Sequence, residues 1–222
     1  LVEAVDRLGL GERTLIFFVS DNGGLVHDQP GNVYTSNAPL RGEKGMVYEG
    51  GIRVPAIARW PGTVPAGTVN GTPATTTDLH PTLLELAGVA PPRGNAFDGV
   101  SIAPLLRDPA AEVERESFFW HLPHYHHGRP ASAVRVGDLK LIEHYEDGSL
   151  ELYDLVLDPG ENEDLSTTRP EDLARLRAEM QAWRERTSAR LPEPNPDFDP
   201  GRESELATRQ PRGAKRAAEK GR

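Results

Sequence analysis

The run Thr14-Leu-Ile-Phe-Phe-Val-Ser20 is apolar, β-branched and aromatic, and it stops abruptly at Asp21-Asn22-Gly23-Gly24. Such a run reads as a buried strand in a parallel sheet covered on both faces. In open α/β sheets, ligands bind at the carboxyl ends of the strands. Asp21 and Asn22 would offer adjacent oxygen ligands there, suited to a hard divalent cation. Gly23 and Gly24 let the chain turn sharply or approach a ligand closely. Taken alone, the same residues also read as a plain turn.

The next stretch favours the ligand reading. It is Leu40-Arg-Gly-Glu-Lys-Gly-Met-Val-Tyr-Glu-Gly-Gly-Ile-Arg-Val-Pro-Ala-Ile-Ala-Arg-Trp-Pro-Gly62, a glycine-spaced loop with Arg41 and Lys44 leading into a strand over Ile52–Trp60. A cationic loop beside a metal site implies an anionic substrate group, a sulfate or phosphate ester. A lysine on such a loop can equally be merely solvated. Arg41 is expected to pair with Glu43 or Glu49, and Tyr48–Gly51 to serve packing and turning.

These two stretches, with Thr75-Thr-Thr-Asp-Leu-His-Pro-Thr-Leu-Leu-Glu-Leu-Ala-Gly88 and residues 137–166, resemble the second half of a type I sulfatase of the alkaline-phosphatase-like superfamily. The resemblance covers roughly residues 1–190. It implies an α/β fold: a partial alkaline-phosphatase-like sandwich, then a small α+β subdomain of four antiparallel strands and a helix. It implies that Asp21 and Asn22 ligate calcium or magnesium and that Lys44 contacts the substrate sulfate. A fixed ammonium there would neutralise charge as it shifts to the leaving group. Substrates would be aryl sulfates or sulfated glycans, and the resemblance points to a periplasmic or secreted protein, with a cytoplasmic one still open.

One departure matters. Sulfatases of this type use a formylglycine made from Cys or Ser in a C/S-x-P-x-R motif, and this chain has no cysteine and no such motif. Ser101-Ile-Ala-Pro104 has its proline one position late. The chain is therefore expected to be a carboxy-terminal portion, inactive alone, with nucleophile and further ligands in an upstream half and an apolar seam open to self-association. The rivals are a phosphoester or phosphonate hydrolase of the same superfamily and a non-catalytic glycan-binding protein.

With a net charge of −9, nucleic acid is an unsuitable partner. No run approaches the ~20 apolar residues of a membrane span. Without cysteine the segment has neither disulfides nor thiolate metal sites.

Three regions are expected: 1–110 in the α/β domain, 111–190 in the small subdomain, and 191–222 as a disordered tail. Leu1, Val2, Val5 and Leu8 mark a helix feeding the first strand in a right-handed crossover unit. Leu25–Pro39 reads as a cleft-wall loop. In it His27 could be a general acid, a ligand or a plain surface residue, and Asn37 a turn residue. A helix over Asp78–Gly88, capped by Asp78 or Thr77, would bury Leu79, Leu83, Leu84, Leu86 and Ala87. Strands are expected at 117–121, 131–136, 138–144 and 150–155, turning at Gly137-Asp138 and Asp147-Gly148. A helix over Pro170–Arg190 would present Leu173, Leu176, Met180 and Trp183 on one face.

The tract Trp120-His121-Leu-Pro-His124-Tyr125-His126-His127 admits three readings: a transition-metal site, a bland loop, or a cleft wall touching substrate. Its histidines lack i, i+4 spacing, which disfavours zinc. His124 is the expected substrate contact. From Gly201 onward seven Arg or Lys face three Glu, a basic end suited to solubility or to anionic glycans.

Overall fold

The computed structural model describes residues 1–26, 35–91, 94, 96–197 and 199. His27, Asp28, Tyr34 and the basic end from residue 201 lie outside the described residues. In chain order the elements begin with α1 (Val2–Arg7), β1 (Ile16–Val19), α2 (Glu49–Ile52) and β2 (Ala56–Arg59). Helices α3 (Leu79–Leu86) and α4 (Ala103–Arg107) follow. The last part holds β3 (Ser117–Leu122), β4 (Ala131–Val136), β5 (Leu139–His144), β6 (Leu150–Asp154) and α5 (Pro170–Thr187). Among the described residues no helix is long and apolar enough to cross a membrane. The chain groups into two compact units, Leu1–Gly23 with Arg53–Phe118, and Gly24–Ile52 with the residues from Phe119 onward.

In the first unit, β1 pairs with β2 antiparallel, Phe18 opposite Ile57. This corrects the parallel partner expected for the first strand. Burial on both faces also fails among the described residues, because Phe18 is 60% and Ile57 59% exposed. Two strands without a covering layer leave one apolar face in water. The second strand is shorter than expected, since Glu49–Ile52 turns as a helix before β2 begins. Helix α1 is tied back by Asp6, whose carboxylate takes Arg59 at 2.8 and 3.0 Å.

The α3 helix forms where expected with Asp78 at its N-cap position, but the Asp78 side chain serves a capping box with Thr75 on the preceding 3-10 turn. Asp78 is wholly buried: it accepts from Thr75 and Val100 N–H groups and pairs with the Arg115 guanidinium. Thr82 donates to the Asp78 carbonyl at 2.6 Å and accepts from Ile102 N–H at 2.9 Å. The buried residue of α3 is therefore Thr82, while Leu83 lies half exposed, against the expected leucine face. Polar hydrogen bonds, more than the leucines, fasten this helix.

In the second unit, the sheet runs β3-β4-β5-β6. Val136 faces Leu139 across the two-residue turn Gly137-Asp138, which fixes the β4–β5 register. Both faces of the sheet are covered. Val134, Leu139, Leu141 and Leu152 pack against Leu176 and Met180 of α5. Trp183 stacks on Phe119 with centroids 4.9 Å apart. Ala131, Ala133, Ile142 and Tyr153 pack on the other face with Val47, Tyr48 and Trp120. Alternation along each strand divides the two sets. The segment carrying Lys44 thus forms the second cover of the carboxy-terminal sheet.

Candidate functional site

Residues 40–52 are held on the sheet by charge as well as by the packing of Val47 and Tyr48. Nζ of Lys140, wholly buried on β5, lies 3.0 Å from Glu49 and 2.8 Å from Glu161. The Glu161 carboxylate also accepts the Glu49 N–H at 2.7 Å. Glu161 does this from a left-handed backbone, φ 53°, a conformation that costs a non-glycine residue about 1 kcal/mol. Arg41 does not turn to Glu43 or Glu49 as expected. It donates to the Tyr153 hydroxyl at 2.9 Å and the Glu161 carbonyl at 3.0 Å, and its guanidinium lies 4.1 Å over the Tyr48 ring. The Tyr48 and Tyr153 hydroxyls both donate to Glu151, which also meets Nε2 of His144 at 3.0 Å.

Backbone contacts close the loop further. β-Carbons at Gly50 and Gly51 would collide with the carbonyls of Gly42, Arg41, Met46 and Glu43, so only glycine lets α2 press against the loop. Asn37 is more than a turn residue. Its amide accepts from Gly24 N–H at 2.9 Å and donates to the carbonyls of Gly24 and Gly42 at 2.8 and 3.1 Å. Glu43 points inward and is buried, whereas Lys44 is exposed. A buried ionic base thus carries the exposed Lys44 outward on a fixed backbone.

The histidine loop adjoins this one within the same unit. A β-carbon at Gly45 would collide with Nδ1 of His126, and Gly128 packs on Met46. Nδ1 of His127 is 3.8 Å from Glu43. His121 instead faces the α5 side, bonded to Ser132, Tyr145 and the Arg190 carbonyl. His124 is exposed. The contact of His126 with the loop of Lys44 had no signal in the sequence, where the four histidines of the tract look alike.

Asp21 and Asn22 lie in the first unit, directly after β1. The Asp21 carboxylate is exposed. The Asn22 amide nitrogen donates to Gly23 O at 2.9 Å, which leaves the amide oxygen for a cation, and Ser20 donates to the Asn22 carbonyl at 2.8 Å. Two oxygen donors of this kind fit part of a calcium or magnesium shell of six or more. Among the described residues no three His, Cys, Asp or Glu side chains gather to complete it.

Residues 42–187 match the family model described as N-sulphoglucosamine sulphohydrolase, C-terminal. A sulfatase of Formosa agariphila is 39% identical over 191 residues, covering 79% of this chain and 34% of the relative. The N-acetylgalactosamine-6-sulfatase of Canis lupus familiaris is 36% identical over 140 residues, covering 63% of this chain and 25% of the relative. The crystal structure of Ps i-CgsB with k-i-k-neocarrahexaose matches with TM-score 0.67 at 30% identity, covering 82% of this chain and 39% of that one. The phosphonate monoester hydrolase SpPMH from Silicibacter pomeroyi matches with TM-score 0.61 at 25% identity, covering 83% and 37%. The chain thus spans about a third or less of the length of these two curated relatives. It belongs to the sulfatase family, as a carboxy-terminal portion of the alkaline-phosphatase-like fold.

Proposed function

We propose that this chain forms part of a sulfuric ester hydrolase that acts on a sulfated glycan or an aryl sulfate, and that Lys44 is its contact with the sulfate group. The observation that carries the reading is the exposed Lys44 on a loop locked to the sheet by the buried Lys140, Glu49 and Glu161. A cation held on a preorganised backbone stabilises charge without reorganising during the reaction. A saccharide substrate is favoured by the structural relative solved with k-i-k-neocarrahexaose.

In this reading Asp21 and Asn22 hold calcium or magnesium, which when bound supplies Lewis-acid polarisation of the sulfate. Lys44 neutralises a sulfate oxygen, and the loop of His124 borders the alcohol part of the substrate. The formylglycine nucleophile would come from a further part of the polypeptide, because this chain lacks the motif that forms it. The chain alone is then inactive. A second reading, phosphonate monoester hydrolysis, is favoured by the likeness to SpPMH.

The test is turnover by the polypeptide in which this chain follows its own upstream coding sequence. An aryl sulfate and an aryl phosphonate would be compared, with and without calcium, in wild type and Lys44→Ala. The expected result is calcium-dependent sulfate hydrolysis that falls ~100-fold or more in the variant. Preference for the phosphonate would establish the second reading. Sulfate turnover unchanged in Lys44→Ala would remove the assigned role.

A further inference from the structure

The second unit brings the exposed ring of His126 up to the residue that follows Lys44. His126 lies against the backbone of Gly45, the residue after Lys44. Gly45 has φ 83°, and its position admits no β-carbon because the ring occupies that space. Nδ1, Cγ and Cε1 are the ring atoms nearest Gly45, so Nε2 sits on the far edge of the imidazole. The ring is exposed, and among the described residues no hydrogen bond engages Nε2.

Other residues of the loop are spent on anchoring. The Tyr125 hydroxyl donates to Glu146 at 2.5 Å, and Arg129 donates to Asp147 at 3.0 Å. Both acceptors belong to the β5–β6 hairpin turn. His127 tilts against His126 with centroids 4.5 Å apart and reaches back toward the buried Glu43. The ring of His126 is thus braced by His127 and by the Gly45 backbone, one residue from the cation. Its outer edge is open to a ligand that enters from solvent.

We propose that His126 is a specificity-determining residue, with Nε2 hydrogen-bonding a hydroxyl of the sugar whose sulfate ester is held by Lys44. The inference rests on the sulfatase reading and adds the side of the substrate that this chain recognises. A neutral imidazole can donate or accept at Nε2, which suits a sugar hydroxyl and gives nothing to a bare aromatic ring edge. Sites that hydrogen-bond a substrate hydroxyl discriminate against analogues lacking it.

The test compares His126→Ala, His126→Gln, His124→Ala and Lys44→Ala in the full polypeptide, on a sulfated oligosaccharide and on an aryl sulfate without a sugar. His126→Ala is expected to lower kcat/KM on the oligosaccharide about tenfold and to leave the aryl sulfate within about twofold. His126→Gln restores part of the loss, and thermal unfolding is unchanged. In 15N-labelled protein the His126 imidazole signals shift with the oligosaccharide and stay in place with inorganic sulfate. An equal loss on both substrates, or a selective loss in His124→Ala instead, overturns the proposal while leaving the sulfatase reading intact. Absence of turnover together with unshifted imidazole signals overturns both.

Discussion

Nζ of Lys140 lies 2.8 Å from Oε1 of Glu161, with both side chains closed off from solvent. Glu49 completes the cluster from the segment that carries Lys44. Breaking a buried ion pair by removing one partner costs more than the pair itself contributes, because the remaining charge stays buried and uncompensated. Here two carboxylates would be left.

Lys140→Met is therefore expected to destabilise the protein by about 3–5 kcal/mol. Urea unfolding followed by circular dichroism measures this directly. Hydrogen exchange should show residues 40–52 opening before the strands, since the cluster is their chief ionic tie to the sheet. A loss below about 1 kcal/mol, the range of an exposed pair, would mean that the cluster does not hold the loop.

Glu151 gives the fold a pH dependence of known sign. Burial is the largest single influence on its carboxyl and pushes it up. Hydrogen bonds from His144, Tyr153 and Tyr48 together outweigh burial and hold it at about 2, against an ordinary 4.5. A depressed carboxyl contributes stability that is fully present above its unfolded value and is lost as pH falls through its folded value. The window thus runs from about 4.5 down to about 2, and the contribution is about 2 kcal/mol after allowance for partial exposure. Glu161 pulls the other way, since burial raises its carboxyl against the charge of Lys140. Urea midpoints across this window in wild type and Glu151→Gln separate the two. The variant should lose stability less steeply on acidification, and identical slopes would remove Glu151 as the cause.

The carboxy-terminal sheet was legible because local chemistry set it. Gly137-Asp138 joins two alternating strands with no residue to spare, and Val136 meets Leu139 as the turn demands. Leu176 and Met180 of α5 lie one turn apart and, with Arg184, are the residues it buries. The second cover of the sheet was not legible. Glu49 reads as a partner for Arg41, nothing local marks Lys140 or Glu161, and the burial of the three depends on partners 91 and 21 residues away. For β1, four successive apolar residues carry no alternation, so they say nothing of strand direction or of which face is covered. At the site, Lys44 stands out through its motif, whereas His126 is singled out only by tertiary contact with Gly45.

Phe18 and Ile57 are register partners on β1 and β2, directly opposite each other and more than half exposed. A large aromatic and a branched aliphatic side chain paired across strands in water form an apolar patch that is relieved by covering it. The chain by itself is therefore expected to associate with concentration in sedimentation velocity and to bind a hydrophobic dye. Phe18→Lys with Ile57→Thr should shift it toward monomer and reduce dye binding. Because these side chains already face solvent, the change should cost no more than about 0.5 kcal/mol of stability. A wild-type chain that stays monomeric without dye binding would show that the pair does not drive association. A double variant that unfolds would show instead that the pair holds the two strands together, since cross-strand contacts of this kind stabilise a hairpin even when one face is wet.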